Sequence, residues 1–172
     1  SISGDSEAYK KISSIIAGEL RGIGMDVRIF DGGDEARDGV SRPNIVGHYD
    51  AGADRTLGLL THYDVVSSEG RWTLDPFRLT IKEDDGDVRA YGRGAADDKG
   101  CIVAAIGALR EILLSGKKPR WNIVFMSTAD EEIGGYYGAG YLARNKLVDI
   151  DALIVLDASS MGLVIGASGI IH

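Results

Sequence analysis

The chain has 172 residues, 44% of them hydrophobic, enough to enclose one core and too few for two ordinary domains. A formal charge of -7 and a pI near 4.9 argue against a nucleic-acid surface, and the sequence shows none of the clustered Lys and Arg that a phosphate backbone requires, so no nucleic-acid partner is expected. No window approaches the ~18 consecutive apolar residues of a membrane span, residues 1–4 lack a signal-peptide layout, and a lone Cys101 cannot form an internal disulfide. These features predict a soluble protein with no membrane partner, located in the reducing cytoplasm.

Residues 5–24 carry Ile12, Ile15, Ile16, Leu20 and Ile23 at helical spacing, with Asp5 or Ser6 placed to cap and Gly24 placed to stop an amphipathic helix. Three short apolar segments follow at 25–30, 44–49 and 56–61, separated by Gly, Asp and Pro, and read as strands. Residues 77–83 and 87–91 flank Asp84-Asp85-Gly86, where Asp-Gly suits a tight hairpin turn that delivers the chain to Gly92. The second half then alternates: helix 99–114, strand 121–127, helix 136–145, strand 152–156. Ile102, Val103, Ile106, Leu109, Ile112 and Leu113 form the expected buried stripe of the first of these helices, with Gly116 ending it and Cys101 a buried structural thiol.

Helices alternating with continuous apolar strands predict an α/β fold with a mostly parallel central sheet covered on both faces. No internal boundary divides residues 1–172, and the abrupt start and apolar end predict a piece of a longer chain. In such sheets ligands bind beyond the carboxyl ends of the strands. His62, Glu131-Glu132 and Asp157 each fall just past a predicted strand. Asp97 falls where the Gly92-Arg93-Gly94 loop turns into the helix from Lys99.

Imidazole and carboxylates brought to one sheet edge make a candidate metal site, because zinc accepts both donor types and a carboxylate can bridge two ions. Asp97 is the candidate bridge, although alone Asp97 or Asp98 reads equally well as a helix cap. Asp64, two residues beyond His62, is placed to orient the imidazole through its second nitrogen. A second copy of the pattern, His48-Tyr49-Asp50, takes a structural reading because the strand before His62 is the more apolar and so the more central. Of the adjacent acids, Glu131 and Glu132, one can ligate while the other serves as general base. A dinucleotide loop at Gly92-Arg93-Gly94 is excluded by Asp97, whose carboxylate occupies the place of the third glycine and repels pyrophosphate. No helical His-Glu-x-x-His and no Gly-x-Ser-x-Gly elbow occurs.

With His62-x-Asp64-Val65-Val66, Trp72, Asp75-Pro76-Phe77, Gly92-Arg93-Gly94-x-x-Asp97-x-Lys99-Gly100, Asp130-Glu131-Glu132 and Asp157 in hand, the chain resembles a known family. It is the zinc-dependent aminoacylase, acetylornithine deacetylase, succinyl-diaminopimelate desuccinylase and carboxypeptidase G family of peptidases and deacylases. The resemblance implies a three-layer zinc-peptidase sandwich, with residues 1–172 forming the N-terminal portion of its catalytic domain and the lid or dimerisation domain absent. It implies two zinc ions, with cobalt or manganese as alternatives: His62, Asp97 and Asp157 on one, Asp97 and Glu132 on the other. It further implies Glu131 as general base, Asp64 as the orienter of His62, and a cis peptide bond between Asp97 and Asp98. The implied reaction is amide hydrolysis in an N-acyl amino acid or short peptide, by a parent enzyme that dimerises through its lid. This chain alone is then an inactive fragment, and the Asp-Asp-Lys-Gly form looks more like the dipeptidase branch. The rival reading is a non-catalytic metal-binding or interaction domain of the same fold.

Overall fold

A computed structural model describes residues 2–157, 162 and 164 of the chain. In chain order its elements are α1 (Ser6–Gly22), β1 (Asp26–Asp31), α2 (Gly33–Ala36), β2 (Pro43–Tyr49), β3 (Thr56–His62), β4 (Thr80–Asp84), β5 (Asp87–Tyr91), α3 (Lys99–Leu114), β6 (Asn122–Thr128), α4 (Ala139–Arg144) and β7 (Ala152–Val155). Asp5 caps α1 by accepting from Ala8 N, and the four-residue α2 is an element that the periodicity does not announce.

Five strands form one sheet in the order β1-β2-β6-β3-β7. β6, β3 and β7 are parallel, whereas β2 runs antiparallel to both β1 and β6. Four of the five described strands therefore point the same way, as the alternating pattern predicts, and β2 alone is reversed.

Side chains alternate across the pleat and divide the core in two. Ile45, Leu59, Ile123 and Phe125 face α1 and α3, packing with Tyr9, Ile16, Leu20, Ile106 and Leu109. Val46, Leu60, Val124 and Met126 face the other way, onto Leu142 of α4 and the segment containing Leu147, Val148 and Ile150. The result is the expected three-layer arrangement.

Some apolar positions fall outside this core. Ile15 of α1 and Val103 and Ile112 of α3 are exposed, because the helices meet the sheet through Ile16, Leu20, Ile102, Ala105, Ile106 and Leu109. α4 is shorter than the predicted helix 136–145. Gly134 and Gly135 have positive φ, and Gly138 adopts a non-helical conformation, so Tyr136 and Tyr137 remain in turns.

β4 and β5 form a separate hairpin whose two-residue loop, Asp85-Gly86, has positive φ at both positions. That is the requirement of a type I′ turn and the reason Asp-Gly serves there.

Candidate metal centre

Because β3, β6 and β7 are parallel, their carboxyl ends share one edge of the sheet, and His62, the 130–132 turn and Asp157 emerge there together. α3 points its amino end at the same edge, and Lys99 N–H bonds to Gly94 O to close the loop before it. Gly94 has φ +78, and a Cβ there would meet Val65 Cγ1 at 2.5 Å and Lys99 Nζ at 2.8 Å, so this turn requires glycine. The peptide bond between Asp97 and Asp98 is cis.

One ligand atom from each of His62, Asp97 and Glu132 lies within 4.8 Å of the others. His62 Nε2 is 2.9 Å from Asp97 Oδ1 and 3.8 Å from Glu131 Oε2. Glu132 Oε1 accepts from Val66 N at 3.3 Å. Asp157 stands outside this group of three. It lines a cavity of about 60 Å³ together with His62, Glu131, Thr128 and Val155.

Asp64 is fully buried and binds four neighbours. Its Oδ1 accepts from Glu131 N at 3.1 Å and its Oδ2 from Glu132 N at 3.3 Å and Ser3 Oγ at 2.8 Å. His62 Nδ1 is 3.3 Å from Oδ1, close enough for charge attraction though off the line of a hydrogen bond. Burial opposes the charge on Asp64, but His62, Ser3 and the Glu132 amide together hold its carboxyl below the usual range. Burial likewise opposes a charged His62, yet Asp64, with the charges of Asp98 and Glu131, pushes it up to about 9. Glu131 is raised, first by burial and then by Glu132, Asp157 and Asp64, against the pull of His62.

Asp98 occupies the N-cap position of α3, but its side chain makes no capping bond. It is fully buried, and Oδ2 accepts from His62 N at 2.9 Å, so this carboxylate fixes the strand end that carries the imidazole. Cys101 is half-buried rather than fully enclosed, and burial together with the neighbouring Asp98 pushes its thiol up to about 12.

Arg42 and Asn44 escape a reading of local sequence, and Asp130 and Lys99 make contacts that their motifs do not announce. Asp130 is buried; it sits at φ +61, pairs with Arg42 Nε and accepts from Tyr9 Oη at 3.1 Å. Asn44 accepts from Ala129 N at 3.1 Å and donates to Tyr137 O at 2.9 Å, joining both sides of the turn. Lys99 Nζ is buried without a hydrogen-bond partner, amid the charges of Asp64, Asp98, Asp97 and Glu132. Arg42 and Asn44 reach the site because β2, being reversed, begins at this edge; a predicted strand carries no sign of its direction.

Residues 58–168 match the family model for peptidase family M20/M25/M40. The chain belongs to this family. It is 40% identical over 126 residues to an uncharacterized metallohydrolase of Methanococcus maripaludis, covering 70% of this chain and 29% of that protein. It is 36% identical over 126 residues to a succinyl-diaminopimelate desuccinylase of Gluconacetobacter diazotrophicus, covering 72% of this chain and 30% of the relative. The solved structure of the dipeptidase Dug1p from Saccharomyces cerevisiae superposes with a TM-score of 0.73 at 25% identity, over 91% of this chain and 35% of that one. The chain thus spans about a third of the length of the relatives it matches. Members of M20 are hydrolases that use divalent metals. No described helix is long and apolar enough to cross a membrane.

Proposed function

We propose that this M20 chain is the N-terminal part of the catalytic domain of a zinc-dependent amidohydrolase acting on N-acyl amino acids or short peptides. The observation that carries the reading is the approach of donor atoms from His62, Asp97 and Glu132 to within 4.8 Å, with Glu131 beside them. One imidazole and several carboxylates suit zinc, with cobalt or manganese as alternatives. In this reading His62, Asp97 and Asp157 would hold one ion, and Asp97 and Glu132 would hold a second. When bound, such ions polarise a carbonyl and stabilise the charge that develops on its oxygen.

The chain's own residues divide the remaining work. Asp64 orients His62 and, through the two amides it accepts, holds Glu131 and Glu132 in place. Glu131 removes a proton from the water that attacks the amide carbon, and delivers it to the leaving nitrogen as the C–N bond breaks. The full-length parent works in the cytosol and dimerises through a lid domain. The dipeptidase and desuccinylase among its relatives support the substrate class, for which we propose an amide beside a free carboxylate.

The test is Glu131→Ala in the full-length parent, which is expected to lower turnover by roughly 10²–10⁴-fold while metal content stays at the wild-type level. Wild-type turnover in that variant would remove Glu131 from the reaction.

A further inference from the structure

Residues 2–9 lie outside the stretch that matches the family model, yet they touch both carboxylates behind the Glu131-Glu132 turn. Ile2 forms a parallel bridge with Val65, and Ser3 N–H bonds to Val65 O at 3.1 Å. This lays the segment alongside the chain that leaves β3. Ser3 Oγ then donates to Asp64 Oδ2 at 2.8 Å, the same oxygen that accepts from Glu132 N.

Six residues on, Tyr9 is fully buried at the start of α1, its ring edge-on to Tyr63 with centroids 5.2 Å apart. Its hydroxyl accepts from Gly4 N at 3.1 Å and donates to Asp130 Oδ1 at 3.1 Å. Burial and the charges of Asp64 and Asp130 push the phenol well above its ordinary range, so the donated proton stays on Tyr9. Asp130 in turn starts the acidic turn: its carbonyl accepts from Gly135 N at 2.6 Å, and Arg42 holds its other carboxylate oxygen.

We propose that Ser3 and Tyr9 are positioning residues for the candidate metal centre: Ser3 acts through Asp64 and Tyr9 through Asp130, and together they set where Glu131 and Glu132 stand. Neither touches the donor group itself. The inference deepens the metal-site reading above, but its geometric content concerns the turn and can be read without metal.

The experiment compares Ser3→Ala, Tyr9→Phe and Ser13→Ala in the 172-residue chain. Ser13→Ala is the control, because it also deletes a buried hydroxyl, one that donates to Lys10 O at 3.0 Å within α1 rather than to Asp64 or Asp130. Amide hydrogen exchange followed by NMR is expected to be about tenfold faster at Glu131 and Glu132 in Ser3→Ala, and at Gly135 in Tyr9→Phe. Core amides such as Phe125 should keep their wild-type order of protection, and Ser13→Ala should leave the turn amides as they were. Wild-type protection of the turn in both Ser3→Ala and Tyr9→Phe would overturn the inference. Equal acceleration in all three variants would overturn it too, since that is general loosening.

Zinc titration supplies the second readout, with affinity about tenfold weaker in Ser3→Ala and Tyr9→Phe and unchanged in Ser13→Ala. Unchanged affinity in the first two variants would overturn the link to the metal centre. A wild-type chain that takes up no zinc would instead sink the metal reading, and hydrogen exchange would then decide the positioning roles by itself.

Discussion

The tripeptide His-Tyr-Asp occurs twice, at 48–50 and at 62–64, each time closing an apolar strand, and the two copies meet opposite fates. His62 and Asp64 are buried at the carboxyl edge of β3, within reach of Asp97 and the Glu131-Glu132 turn. His48 and Asp50 are exposed, and Asp50 merely accepts from Gly52 N in a local turn. Centrality of the strand does not separate them, since β2 and β3 both have neighbours on each side. Direction does: β2 is reversed, so its end lies at the opposite edge of the sheet from the ends of β3, β6 and β7. Apolarity of the strand singles out His62, but it is strand direction that brings His62 and not His48 to the acidic edge.

The largest expected contrast is between Asp64→Ala and Asp50→Ala. The first leaves two amides and a hydroxyl without their acceptor and a buried imidazole without its partner, an expected loss of roughly 3–5 kcal/mol in urea unfolding. The second should cost at most about 1 kcal/mol. Equal losses would break the comparison.

Zinc sharpens it next. At a free concentration of about a hundred times Kd, zinc should stabilise the chain by about 2.7 kcal/mol, and EDTA should remove the gain. His48→Ala should retain that gain and His62→Ala should lose it, both read as thermal shifts. A gain that survives His62→Ala would place the ion elsewhere.

The smallest contrast uses one glycine from each strand. At Gly58 a Cβ would meet Ile150 Cδ1 at 2.9 Å, Leu153 Cδ1 at 3.0 Å and Met126 Cε at 3.2 Å, so Gly58→Ala should cost roughly 1–3 kcal/mol. At Gly47 the nearest atom is Leu20 Cδ1 at 3.2 Å, and Gly47→Ala should cost less than about 1 kcal/mol by the same denaturation measurement. Reversed costs would show β2 to be the more tightly packed strand.

Periodicity and punctuation were enough to place most elements. α3 spans Lys99–Leu114 as predicted, and the Asp85-Gly86 hairpin turn falls where Asp-Gly indicates. The motif residues His62, Asp97 and Glu132 lie close together in the fold, and Asp157 stands at the same edge. Hidden were contributions that no local pattern encodes. Arg42 and Asn44 precede or open a strand that reads like any other. Tyr9 and Ser13 belong to the buried face of α1, while the more apolar Ile15 is exposed, because the helix is turned toward its hydrogen-bonding partners as well as toward its oily ones.

The sequence by itself determined the elements, the layered α/β class and the acids and imidazole able to hold a metal, since these follow from short-range periodicity and from side-chain chemistry. Tertiary structure decided which His-Tyr-Asp stands at the candidate site and which distant residues bond to its acidic turn. Strand direction, and the pairing of Tyr9 and Arg42 with Asp130, are set by how separate segments satisfy one another's buried polar groups, and that information belongs to no single stretch of chain.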